Sequence, residues 1–156
     1  MAWEYWLFLH LVGVLAFVGA HGVSMFVLYR IRGERDRATI ASLIAFSGQT
    51  TTPMYVSLAV LVVGGIGVGL SLHLFGQGWL WVSILLLVIT IALMTATAKP
   101  YFRRITAACE IRPSGVPRVS DEELELILRS GTAHVITAIG GIGLLAILYL
   151  MLFRPF

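Results

Sequence analysis

The residues through which this chain could do chemistry are four histidines, His10, His21, His73 and His134, each lying in a long run free of Asp, Glu, Lys and Arg. An imidazole offers a nitrogen lone pair to a metal, and placing one in an apolar medium is costly unless it finds a partner. The first run, Tyr5 to Tyr29, holds 25 residues and two of the four. At about 100° per residue the offset of eleven between His10 and His21 returns to nearly the same stripe, with the two rings separated by roughly 16 Å along the axis. Phe17 and Met25 share that stripe.

Three such runs exist: Tyr5 to Tyr29, Ala38 to Ala98 and Ser130 to Phe153. The middle one is long enough for two spans of about 20 residues, with Leu74-Phe75-Gly76-Gln77-Gly78 as the turn between them. With 58% hydrophobic residues and a mean hydropathy of +0.92, the expectation is an all-α membrane protein. One domain over 1–156 would hold four spans, at about 5–29, 53–73, 79–98 and 131–153, in an up-and-down bundle. The apolar run behind Met1-Ala2-Trp3-Glu4 is longer than a secretory signal and reads as an uncleaved span.

Arg30, Arg32, Arg35 and Arg37 follow the first span, and Lys99, Arg103, Arg104, Arg112, Arg118 and Arg129 lie between the third and fourth. The positive-inside rule then sets both charged loops in the cytoplasm and both termini outside, in a bacterial inner membrane. Glu34, Asp36 and Glu110 interrupt the basic residues, so they read as topology signals within a lipid bilayer and not as a nucleic-acid site. The single cysteine, Cys109, excludes an internal disulfide and any Cys-rich cluster.

Short signals organise the connections. Asp36 to Thr52 reads as a mildly amphipathic helix at or entering the inner interface, and Thr51 or Thr52 would cap the next span with Pro53 at its first position. The third span carries neither histidine nor acid and reads as scaffold continuing to about Glu110, before Pro113-Ser114-Gly115-Val116-Pro117 turns the chain. Ser120-Asp121-Glu122-Glu123 has capping-box spacing, so a helix should begin there and run on into the fourth span. Gly-Gly-Ile-Gly occurs at 64–67 and again at 140–143.

Depths taken from the span centres put His10 level with His73 toward the outer leaflet and His21 near His134 toward the inner one, with offsets of about 3 Å and about 7 Å. Helix tilt absorbs the first offset and strains under the second. Gly65, Gly69 and His73 are four apart on one face, and Thr137, Ala138 and Gly141 follow on that of His134. Facing imidazoles beside smooth glycine faces and an aromatic such as Phe17 suit one or two b-type haems, His10 with His73 and His21 with His134 as axial ligands. Two stacked haems would carry electrons across the bilayer between a quinone or periplasmic partner and an acceptor. No CxxCH string is present for covalent attachment.

Other readings stand beside that one. His21, Met25 and Met54 offer imidazole and thioether, which suit copper, so a copper or small-solute transporter is the alternative. No Asp or Glu lies in any span to relay protons, which disfavours a coupled cation transporter. Hydrolysis has no nucleophile and base at recognisable spacing. The histidines could also do no more than hydrogen-bond between helices in a non-catalytic accessory subunit, in a homo-oligomer or a membrane complex.

Leu9-His10-Leu11-Val12-Gly13-Val14, Phe17-Val18-Gly19, the basic loop, a proline-led second span ending in a glycine-rich run, and Lys99-Pro100 together resemble a group of four-span bacterial membrane proteins. That group is similar to the copper-resistance D-type membrane domain and to HemJ-type protoporphyrinogen oxidases. The resemblance implies the four-helix fold and, through the early-span histidine of the HemJ-type proteins, a haem-ligand role for His10. Their activity also depends on a lysine inside the bundle, whereas Lys99 sits at the cytoplasmic edge. The additional outer methionines and histidines of the copper-type relatives are lacking.

Overall fold

The computed structural model describes residues 2–156 and holds six α-helices among them: α1 (Ala2–Arg30), α2 (Arg37–Gln49), α3 (Thr51–Ser71), α4 (Gly78–Cys109), α5 (Asp121–Arg129) and α6 (Thr132–Phe153). Four helical stretches are long and apolar enough to cross a membrane: Trp3–Gly33, Arg37–Ser71, Gly78–Cys109 and Asp121–Phe153. The all-α, four-span architecture is therefore as expected. α1 packs along α3, and α4 packs along α6, whereas α1 and α6 touch only sparingly. The bundle is thus two antiparallel helix pairs, with one charged end that carries α2, α5 and every basic residue but Arg154.

Each pair closes on one Gly-Gly-Ile-Gly string. In α3 the Gly64 backbone lies against His10 and Gly67 lies under the Trp6 ring; in α6 Gly140 faces Met94 and Gly143 lies against Thr90. Gly64 meets backbone of its partner helix, whereas Gly67, Gly140 and Gly143 meet side chains, Gly140 that of His21 in α1 as well as Met94. Between helices bathed in lipid there is little hydrophobic drive, so close backbone approach at small residues supplies the contact.

At the charged end the two pairs share one apolar core: Val27 and Leu28 from the end of α1, Ile31 just after it, Ile40 from α2, Tyr101 and Ile105 from α4, Leu124, Ile127 and Leu128 from α5, and Ala133 and Ile136 from α6. Two arginines bolt it together. Arg32 donates to the carbonyls of Leu128 (3.1 Å), Ser130 (2.8 Å) and Arg129 (3.3 Å), covering the C-terminus of α5. Arg37 donates to Ala108 O (2.6 Å) at the end of α4, to Val119 O (2.9 Å) and to the Asp121 carboxylate (2.7 Å). Cations at helix C-termini satisfy carbonyls that have no partner within the helix. These two residues therefore have a structural role beyond topology.

That clamp also explains where the sequence reading of the fourth span differs from the structure. α5 does not run on into α6, because Ser130 is extended (φ −56°, ψ 153°) and its carbonyl, with those of Leu128 and Arg129, turns to Arg32. The start of α5 is as expected, with Ser120 Oγ accepting from the Glu123 amide. α2 is capped by Asp36, whose carboxyl is held below its usual range first by the Thr39 hydroxyl and then by the Thr39 amide. At Thr50 the chain stays near-helical (φ −77°, ψ −7°), so α2 leads directly into α3 and Pro53 lies inside its first turn without a side-chain cap before it. Ser24, Ser47 and Thr50 join α1, α2 and the start of α3 through hydroxyl hydrogen bonds of 3.1 and 3.2 Å.

α4 runs on past the third span to Cys109, as expected, with Pro100 inside it. The chain then reverses through a small loop in which Arg112 N donates to Val116 O and Gly115 takes φ 79°, a conformation natural to glycine. At the opposite end Arg154 lies 5.6 Å from the Trp79 ring, and the Trp79 amide donates to Phe156 O.

The Arg37 side chain is only 12% exposed and Asp121 is 86% exposed. Removing the guanidinium orphans carbonyls in a buried place, whereas removing the carboxylate loosens a surface pair. Arg37→Ala is therefore expected to lower stability by about 2–4 kcal/mol and Asp121→Asn by at most about 1 kcal/mol, read from thermal unfolding in detergent.

Candidate functional site

The four histidines are not gathered into the two expected pairs. Antiparallel packing in α1 and α3 sets Gly13 against Leu61, His10 against Gly64 and Trp6 against Gly67. In that register His10 is level with Gly64, and His73 lies nine residues further on, roughly 13 Å along the axis. His73 is moreover outside the helix: it is exposed and stands at φ 55°, in the left-handed region, just past the end of α3. Its conformation ends the helix and starts the turn. The offset exceeds the expected one because α1 begins at Ala2 and α3 ends at Ser71, which shifts the centres of both helices.

The inner pair is separate as well. His21 points at Gly140 of α6, and His134 lies six residues earlier, roughly 9 Å away along the axis. His134 is exposed at the charged end, where its Nδ1 is 3.3 Å from the Tyr29 hydroxyl and its ring 5.8 Å from the Tyr29 ring. Tyr29 is the partner that the sequence reading missed.

The glycine faces expected to receive a flat macrocycle are filled by side chains. Gly65 lies against the His10 ring, with Nδ1 3.1 Å from where its Cβ would stand, and Gly69 lies against Phe75 at 2.9 Å. Gly141 faces open space within 4 Å, as do Gly19 and Gly22. Phe17 stacks on His21, with centroids 5.9 Å apart and planes 6° apart, as expected for residues four apart on one stripe.

His10 has the most defined environment of the four. Its Nδ1 is 2.7 Å from Leu61 O. A carbonyl only accepts, so Nδ1 carries a proton and donates it, and in the neutral ring Nε2 keeps its lone pair. Gly65, by lacking a Cβ, lets the ring lie close to α3 and reach the carbonyl one turn away. A backbone carbonyl gives no signal in a sequence, so this partner was not legible there.

His21 differs from His10 and His134 in finding no hydrogen-bond partner among the described residues. Its Nε2 lies 3.2 Å from where a Gly140 Cβ would stand, and Met94 Sδ lies 3.7 Å from the same point. Met25, the expected thioether partner, is 43% exposed on α1. Met94 belongs to the span read as scaffold, and nothing in its own stretch marks it out. Among the described residues there is no group of three or more His, Cys, Asp or Glu able to hold a metal ion.

No match was found to any family model, curated protein or solved structure. The site therefore stands on its own geometry. With Gly13 and Gly64 in backbone contact with α3 and α1 respectively, Gly13→Ala and Gly64→Ala are each expected to cost about 1–3 kcal/mol. Gly19→Ala and Gly22→Ala, which meet nothing, should be neutral or slightly stabilising; thermal unfolding of the four variants checks the ordering.

Proposed function

We propose that this four-span protein binds a single b-type haem through His10 and passes electrons within the membrane, to or from a quinone or another redox partner. The observation that carries the reading is the hydrogen bond from His10 Nδ1 to Leu61 O, which fixes the tautomer and leaves Nε2 as the donor. Metal-ligating histidines characteristically hold their second nitrogen in this way, and the bond raises the donor strength of the ring. The resemblance of Leu9-His10-Leu11-Val12-Gly13-Val14 to the early span of HemJ-type proteins supports the same residue.

The donor set fits one imidazole ligand and does not fit two bis-histidine sites, since His73 lies exposed past the end of α3 and His134 is turned to the Tyr29 hydroxyl. A bound haem would supply one-electron chemistry. The chain's own part is to orient His10 and to surround it with apolar helix, which keeps water from the ring and tunes the potential. Lys99 is exposed near the charged end of α4, so the reading extends to haem binding and electron transfer and not to protoporphyrinogen oxidation. With both charged loops in the cytoplasm of a bacterial cell, His10 would lie in the outer half of the membrane.

An absorption spectrum of the purified protein, expressed with haem supplementation, tests this. A Soret band is expected that His10→Ala abolishes, that added imidazole restores in the variant, and that His73→Ala and His134→Ala leave in place. Absence of the band in the parent protein, or its persistence in His10→Ala, would contradict the reading.

A further inference from the structure

We propose that Lys99, Arg103 and Arg104, at the membrane edge of α4, hold the headgroup of an anionic phospholipid whose acyl chains lie along the exposed face of the same helix. α4 contains no Asp or Glu over its whole length. The ion pairs among the described residues are Arg30–Glu34, Arg37–Asp121, Arg118–Glu110 and Arg129–Glu125, and Arg32 is turned to carbonyls at the end of α5. Lys99, Arg103 and Arg104 are exposed and take part in none of these. Three positive charges thus stand together with no carboxylate of the protein on them.

Their depth selects the counter-charge. The uncharged part of α4, Gly78 to Ala98, is roughly 31 Å long, which matches the hydrocarbon thickness of a bilayer. Lys99 is the first charged residue past it, and Arg103 and Arg104 follow roughly 6 and 7.5 Å further along the axis. The headgroup layer on each side of a bilayer is roughly 5–8 Å deep, so all three cations stand at the level of the lipid phosphates. A zwitterionic headgroup brings its own ammonium to such a cluster and gains little, whereas an anionic one supplies the missing charge.

The face they occupy is continuous with a lipid-facing surface. Tyr101, Ile105 and Ala108 turn the other side of α4 into the core. Lys99 and Arg103, four residues apart, share the face opposite to it, and Arg104 flanks them. Toward the membrane interior the same face carries Ala92, Val88 and Leu85, seven, eleven and fourteen residues before Lys99, all exposed. The small side chain of Ala92 lets an acyl chain approach the helix between the cations and the larger residues. Phosphate and chain are therefore both accommodated on one face, which distinguishes a lipid from a soluble polyanion.

Native mass spectrometry of the detergent-solubilised full chain, titrated with phosphatidylglycerol and with phosphatidylcholine of the same acyl chains, tests the proposal. One phosphatidylglycerol is expected to be retained in preference to phosphatidylcholine. A Lys or Arg near the membrane surface strengthens anionic-lipid binding about fivefold, so Lys99→Gln and Arg103→Gln should each weaken retention about fivefold and the double variant about 25-fold. Arg118→Gln and Arg129→Gln remove the same charge from surface ion pairs and should leave retention unchanged. Lys99→Arg keeps the charge and should keep the lipid, which separates loss of the cation from any effect on folding. Equal retention of the two lipids, losses as large in Arg118→Gln or Arg129→Gln, or competition by glycerol phosphate or an oligonucleotide as strong as that by the lipid would overturn it. The haem reading is tested separately, because Lys99→Gln and Arg103→Gln should keep the Soret band while His10→Ala keeps the lipid.

Discussion

The backbone contact between α1 and α3 is the constraint on which the rest depends. Gly13 and Gly64 bring the two helices so close that a Cβ on either would meet main-chain atoms of the other. Nothing else in the pair could set the His10 ring against Gly65 with Nδ1 on the Leu61 carbonyl. In lipid, where apolar side chains gain little by leaving one hydrocarbon surface for another, such contacts and interhelical hydrogen bonds carry the association. The imidazole is therefore both part of the packing and a candidate ligand, since one nitrogen serves each purpose.

The second helix pair has no such backbone contact at its glycines: Gly140 and Gly143 of α6 meet the Met94 and Thr90 side chains of α4, and Gly140 also meets the His21 ring of α1. What joins the pairs is different in kind. At the charged end a continuous apolar core is locked by Arg32, Arg37 and Tyr101 onto carbonyls at the C-terminal ends of α4 and α5. Along the spans the pairs meet sparingly, and it is there that His21, Met94 and Gly140 come together.

Much of this was legible from the sequence, because four apolar spans and their lengths are decided by the bilayer and not by tertiary detail. The cap at Ser120, the turn at Leu74 to Gly78 and the extension of α4 past Arg104 follow from local chemistry and appear in the structure. The histidine pairing did not follow, since it required a register between helices, and register is set by which glycines meet. Glycines four apart make a smooth face whatever covers it, so spacing does not decide whether Gly65 meets a helix or a macrocycle. Arg32 and Arg37 look like any positive-inside residues until the carbonyls they cover are known. Met94 is one apolar residue among many until α6 places Gly140 beside it.

Register between α1 and α3 is thus the point at which the account is most exposed. In a Cys109→Ser background, oxidation of a variant carrying Trp6→Cys and Gly67→Cys should form an intramolecular disulfide, because Trp6 Cγ lies 2.5 Å from the Gly67 Cβ position. A variant carrying His10→Cys and His73→Cys should stay reduced under the same conditions. Cross-linking of the His10 and His73 positions, with none between positions 6 and 67, would contradict the register and with it the environment assigned to His10.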